Sequence, residues 1–136
     1  MTDISLQFCP ITVDDVDAAI AFYCEALGLE LLNDVASDGH RWVTLGAAGG
    51  SGPSVVLSDP GGGRSADDAE ALHRLVAKGT GPGPYVFAAA DLDAAFERAR
   101  AAGAEVLQEP ISQPWGARDC AFRDPAGNHI RINQAG

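Results

Sequence analysis

The chain has 136 residues, 46% of them hydrophobic and 21% charged, enough for one packed domain and too apolar for a disordered chain. Its formal net charge of −10 repels phosphate backbones and anionic lipid, which argues against nucleic-acid and membrane partners and suits a cationic small molecule or plain solubility. No apolar run approaches the roughly 20 residues of a membrane-spanning helix. The start, MTDISLQF, carries no basic leader. Cys9, Cys24 and Cys120 are odd in number and lack CxxC spacing, so they read as small buried thiols in a reducing compartment. The expected location is cytoplasmic.

Residues 4 to 13 (ISLQFCPITV) read as a strand, with Cys9, Ile11 and Val13 on one face and Phe8, Pro10 and Thr12 on the other. Pro10 has no N–H for a ladder, so one side of this strand is unpaired or irregular. DDVDAAIAFYCEALG follows as a helix, with Val16, Ile20, Tyr23 and Leu27 on one stripe. Asp14 or Asp15 caps its start and Gly28 stops it. Strands are predicted over 29–35, 41–45 and 54–58, separated by Gly39 and by GAAGGSG.

Residues 60 to 81 break this rhythm. PGGGR and KGTGPGP are loop punctuation around a short helix, SADDAEALHRLVAK. The GGGR run lacks the ending and the preceding strand of a phosphate loop and reads as a linker. Beyond it YVFAA reads as a strand, with Tyr85, Phe87 and Ala89 on one face. DLDAAFERARAAG follows as a helix, with Leu92, Phe96, Ala99 and Gly103 on its stripe. Three strands come after it, AEVLQEP, ARDCAFRDP and NHIRINQ, with DPAG as the last turn.

The second half repeats the first. Asp15-Val16-Asp17-Ala18-Ala19 aligns with Asp91-Leu92-Asp93-Ala94-Ala95, 76 residues on. Gly28 aligns with Gly103, 75 residues on. The succession of strand, capped helix, glycine and strand recurs in register. This predicts one domain over 1–136. A βαβββ module over 4–59, a linker with a short helix over 60–81, and a second βαβββ module over 82–134 compose it.

Val13, Asp15, Ala19, Phe22, Tyr23, Leu27 and Gly28 form one motif. Glu109-Pro110, Trp115-Gly116, Phe122-Arg123-Asp124-Pro125 and Gly127-Asn128 form another. Together they resemble the vicinal oxygen chelate superfamily, which comprises glyoxalases, bleomycin-resistance proteins and extradiol dioxygenases. The resemblance covers the chain outside 60–81. It implies an α+β fold of two tandem βαβββ modules whose curved mixed sheets surround a groove, commonly in a homodimer. Fold alone does not decide function here, since the superfamily holds metal enzymes and metal-free antibiotic-binding proteins.

In the metal enzymes His, Gln or Glu sits early in the first strand and in the last strand of each module. Carried over, those places fall at Phe8, Val56, Pro84 and Arg131, none of which offers a divalent cation a lone pair in this role. A register slip of one residue brings in Gln7 but still leaves no ligand set, and one histidine, His129, does not make a site. No metal and no cofactor is therefore expected.

In the last strand Ile130 and Ile132 alternate with His129, Arg131 and Asn133, giving a face for the helices and a face for either the groove or solvent. Trp42 and Trp115 suit stacking on a flat ligand, Arg41 and Arg118 suit an anionic group, and Phe8 suits a greasy wall. The ligand-binding residues expected are Phe8, Trp42, Trp115, Arg118, His129 and Arg131. The expected function is metal-free binding of a planar or amphipathic small molecule, antibiotics included. The alternative is a lyase, isomerase or dioxygenase of the same superfamily, either metal-dependent or using His129 and Arg131 without metal.

Overall fold

Each half of the sequence places an aspartate before a helix and a glycine after it, and the backbone uses both. The computed structural model describes residues 3–136. It contains β1 (Phe8–Thr12), α1 (Val16–Ala21), β2 (Glu30–Ser37), β3 (His40–Gly46), β4 (Ser54–Ser58), α2 (Ala66–Ala77), β5 (Tyr85–Ala89), α3 (Leu92–Ala101), β6 (Glu105–Ser112), β7 (Arg118–Arg123) and β8 (His129–Gln134). Asp15 accepts the Ala18 amide at 3.0 Å, and Asp91 accepts the Ala94 amide at 3.1 Å. These are matched N-caps in the two modules. Gly28 and Gly103 follow the helices at φ +79° and +91°, a region open to glycine at no steric cost.

The strands form two sheets, ordered β1-β4-β3-β2 and β5-β8-β7-β6. The pairs β1–β4 and β5–β8 are parallel and the rest antiparallel, so each module is a βαβββ unit. β1 is an outer strand, where proline is tolerated. It starts at Phe8 rather than at residue 4, because its partner β4 begins at Ser54, opposite Phe8, and the ladder closes with the Ser54 amide donating to the Gln7 carbonyl at 2.9 Å.

One core serves both modules. Ile11, Val43, Leu45, Val55 and Leu57 from the first sheet join Cys120, Phe122, Ile130 and Ile132 from the second. Tyr23, Leu92, Phe96 and Ala99 from the helices complete the same cluster. The sheet residues of alternate parity lie outside it. Of the three free thiols only Cys120 is buried. Cys9 and Cys24 are partly exposed, which corrects the expectation that all three are core residues.

The first helix departs from the predicted stripe. After Ala21 it widens into a π-helical turn, Phe22–Ala26, with the Leu27 amide donating to the Phe22 carbonyl five residues back at 3.2 Å. The extra residue in that turn rotates the buried face. Ala19, Phe22, Tyr23 and Ala26 are buried, whereas Val16, Ile20 and Leu27 are only partly so.

Tyr23 thereby reaches the other module. Its hydroxyl donates to Asp124 Oδ2 at 2.7 Å, and both residues are buried. Asp124 Oδ1 accepts the amides of Ala126, Gly127 and Asn128, and Asn128 Nδ2 donates to Asp124 and to the Thr12 carbonyl. The Asp-Pro-Ala-Gly-Asn turn is therefore a joint between modules. Arg98 of α3 adds bonds to the carbonyls of Glu25 and Cys24. At Gly127, φ +114°, a Cβ would lie 2.3 Å from the Val76 carbonyl oxygen, so glycine there lets α2 close against the joint.

Candidate functional site

Strand parity sorts the candidate side chains into those that face the helices and those left on an open face. On the first sheet the helix-facing residues are Ile11, Val43, Leu45, Val55 and Leu57. The open face then carries Phe8, Pro10, Trp42, Thr44 and Val56. A cavity of about 500 Å³ lies against this face, lined by Phe8, Pro10, Val16, Trp42 and Val56. The β2–β3 turn adds Gly39, the start of β3 adds His40 and Arg41, the end of β4 adds Leu57 and Ser58, and the segment after it adds Asp59 and Gly62. That volume falls within the range of small-molecule sites. Every lining residue but Gly62, which belongs to the linker, comes from the first module.

The open face of the second sheet is polar on its central strands, β8 and β7, with exposed Val86 and Ile111 on the outer strands. His129 and Arg131 share it, as the alternation predicts, with Asp119, Ala121 and Arg123 opposite them on β7 and with Gln108 on β6. Arg131 Nε donates to Asp119 Oδ2 at 3.3 Å, Nη2 lies 2.9 Å from the same oxygen as an ion pair, and Nη2 donates to Gln108 Oε1 at 2.8 Å. Gln108 Nε2 and Gln113 Nε2 each donate to Asp119 Oδ1 at 2.9 Å. Burial pushes the Asp119 carboxyl up, but bonds from Gln113, Gln108 and Arg131 and the charge of Arg131 outweigh it, so it titrates below the usual carboxylate range. His129 meets Arg131 Nη1 at 3.3 Å. Its burial, then the charges of Arg131 and Arg123, hold its pKa below the ordinary histidine value.

The sequence candidates divide accordingly. Phe8 and Trp42 share the apolar cavity, and His129 and Arg131 share the polar network on the other sheet. Trp115 sits in the β6–β7 turn at 72% exposure and lines neither face. Arg118 has the parity of Cys120 and Phe122, which puts it on the helix side of β7, where it binds Asp93 of α3 at 2.9 Å. Arg41 of β3 meets Asp17 of α1 at 2.8 Å in the same way and also holds Asp34. In each copy of the repeated Asp-x-Asp, then, the first aspartate caps the helix and the second receives an arginine from a strand. Arg118, expected to bind a ligand, is paired in this structure with Asp93, and Arg41 with Asp17 and Asp34. Gln108, Gln113 and Asp119 went unnoticed in the sequence, since only strand register brings them beside Arg131.

The superfamily's metal positions can be tested on these contacts. Phe8, Val56 and Pro84 carry no donor atom, and the Arg131 guanidinium occupies the space beside Asp119. Among the described residues no three of His, Cys, Asp and Glu converge. The residues at these places do not fit a divalent cation.

The family profile for the glyoxalase/bleomycin resistance protein/dioxygenase superfamily matches residues 5–132. The chain is 33% identical to UcmS2, whose crystal structure superposes with a TM-score of 0.87 over 97% of this chain and 98% of that one. It is 28% identical to TnmS3, an antibiotic binding protein from Streptomyces sp. CB03234, with a TM-score of 0.75 and full coverage of both chains. Glyoxalase I from Zea mays, 21% identical, shares the fold at a TM-score of 0.75 over 96% of this chain and 44% of its own length. No protein of curated function matches. With two βαβββ modules about one core and the family profile spanning both, the chain belongs to the glyoxalase/bleomycin resistance protein/dioxygenase superfamily.

Proposed function

We propose that this protein binds a planar or amphipathic small molecule, of the kind antibiotics represent, without metal and without turnover. The observation that carries the reading is the cavity of about 500 Å³ walled by Phe8, Pro10, Trp42 and Val56, with no donor atom at the superfamily's metal places in that module. An indole 53% exposed and a phenyl 42% exposed on one face offer stacking surface that the fold does not consume. The likeness to an antibiotic-binding protein over the full chain supports the same reading.

A second copy completes the site in this proposal. The apolar cavity and the polar network lie on open faces of different sheets, and exposed Val35 and Trp42 on one and Val86 and Ile111 on the other are left without cover. In a homodimer the open face of one chain closes on that of its partner. Sedimentation should give a mass of two chains, and a mass near one chain contradicts this closure.

The test of binding is a fluorescence titration of the two tryptophans against cationic and neutral aromatic compounds. Phe8→Ala and Trp42→Ala should each weaken any binding by about tenfold or more, since each removes roughly 1.5 kcal/mol or more of contact. Absence of binding across the panel removes the support for this function.

A further inference from the structure

The polar face of the second sheet holds more than a wall. Arginine has donors and no acceptor, so in the contact between Arg131 Nη1 and His129 Nε2 the imidazole nitrogen is the acceptor. The ring proton then resides on Nδ1. Arg131 is itself held in place: its Nε and Nη2 engage Asp119, whose side chain is 4% exposed, and its Nη2 also engages Gln108. Both Asp119 oxygens are occupied, by the two glutamine amides and by the guanidinium. His129 Nδ1 has no hydrogen-bond partner among the described residues, and it is not a buried unpaired atom, so it meets solvent.

The charges on this face cancel locally. Arg131 is matched by Asp119, and Arg123, opposite His129, reaches Glu105 at 3.4 Å and donates to the Gly127 carbonyl. The face therefore presents a fixed donor without a net positive field. That suits an uncharged acceptor oxygen and does not suit a carboxylate or phosphate, which would bring its own charge to a neutral face of a chain at −10.

Resting on the small-molecule reading above, we propose that His129 Nδ1–H is a specificity donor for a neutral carbonyl oxygen of the ligand, with Arg131 as the positioning residue that fixes its tautomer. The low pKa of the ring, set first by burial and then by Arg131 and Arg123, keeps it neutral around pH 7, in accord with the geometry.

Two experiments on the intact protein test this. Nitrogen-15 spectra of the imidazole at pH 7.5 should show His129 protonated on Nδ1. In Arg131→Met, which removes the donor and keeps the length, the ring should return to the ordinary preference for Nε2–H. A wild-type ring protonated on Nε2 overturns the proposal without any variant. The second experiment compares fluorene, 9-fluorenone and fluorene-9-carboxylate, which share one planar skeleton. Fluorenone should bind about five- to tenfold more tightly than fluorene, the value of one hydrogen bond, and His129→Phe should erase that difference. Equal binding of fluorene and fluorenone overturns the donor and leaves the binding function standing. Tightest binding by the carboxylate overturns the neutral class. Binding of none of the three counts against the donor and the binding function together.

Discussion

Removing one oxygen atom, in Tyr23→Phe, tests whether the two modules are joined as described. Tyr23 is fully buried, and its hydroxyl donates at 2.7 Å to Asp124, itself 3% exposed. A bond to a buried carboxylate contributes about 1.5 to 3 kcal/mol. Asp124 keeps its backbone amides and the Asn128 side chain in the variant, so the lower half of that range applies, about 2 kcal/mol. With a urea m-value of about 2 kcal/mol/M for a chain of this size, the midpoint should fall by about 1 M. Tyr85→Phe is the control, since Tyr85 is only half-buried and its hydroxyl has no hydrogen-bond partner among the described residues, and it should move the midpoint little. The pH dependence carries a second signature. Burial first, then the charge of Asp124 and the bond to it, raise the Tyr23 pKa well above its ordinary 10.0. The unfolded tyrosine ionises near the ordinary value. Stability from Tyr23 is thus fully present below pH 10 and is lost as the pH climbs from there toward the folded pKa, at up to about 1.4 kcal/mol per unit. Tyr23→Phe should flatten that alkaline loss. A midpoint within about 0.2 M of the parent, or an unchanged alkaline slope, would refute the joint.

Gly127→Ala should destabilise by on the order of 3 kcal/mol in the same assay, because its φ of +114° and the Val76 and Ala77 carbonyl oxygens leave a Cβ no room. The two aspartates of each repeated motif should separate. Asp15→Ala and Asp91→Ala each lose a cap bond and about 1 kcal/mol, while Asp17→Ala and Asp93→Ala, which lose exposed pairs, should cost under about 0.5 kcal/mol. Asp119, whose folded pKa is depressed, contributes stability above the ordinary carboxylate range that disappears as the pH falls through its folded value. Asp119→Asn should therefore unfold with less acid dependence than the parent.

The tandem architecture was legible because a capping aspartate, an apolar stripe and a stopping glycine are local signals, and their recurrence about 76 residues apart repeated one local argument twice. The widened turn at Phe22–Ala26 was not legible, since a stripe drawn at 3.6 residues per turn assumes the regular spacing that an i→i+5 bond breaks. The side of the sheet taken by Arg118 could have been counted, as it is two residues from Cys120 and four from Phe122. The cluster of Gln108, Gln113 and Asp119 around Arg131 depends on pairing across three strands with irregular register in β6, which no single stretch of sequence encodes. Phe8 and Trp42 are 34 residues apart and meet in one cavity only through the order β1-β4-β3.

The measurement that bears most directly on the whole account is a calorimetric titration of the protein with 9-fluorenone, run with and without a strong chelator and repeated with Trp42→Ala. The account predicts binding that the chelator leaves unchanged and that Trp42→Ala weakens by about tenfold or more. Binding that vanishes with the chelator and returns on adding zinc, nickel or manganese would contradict it, as would binding indifferent to Trp42.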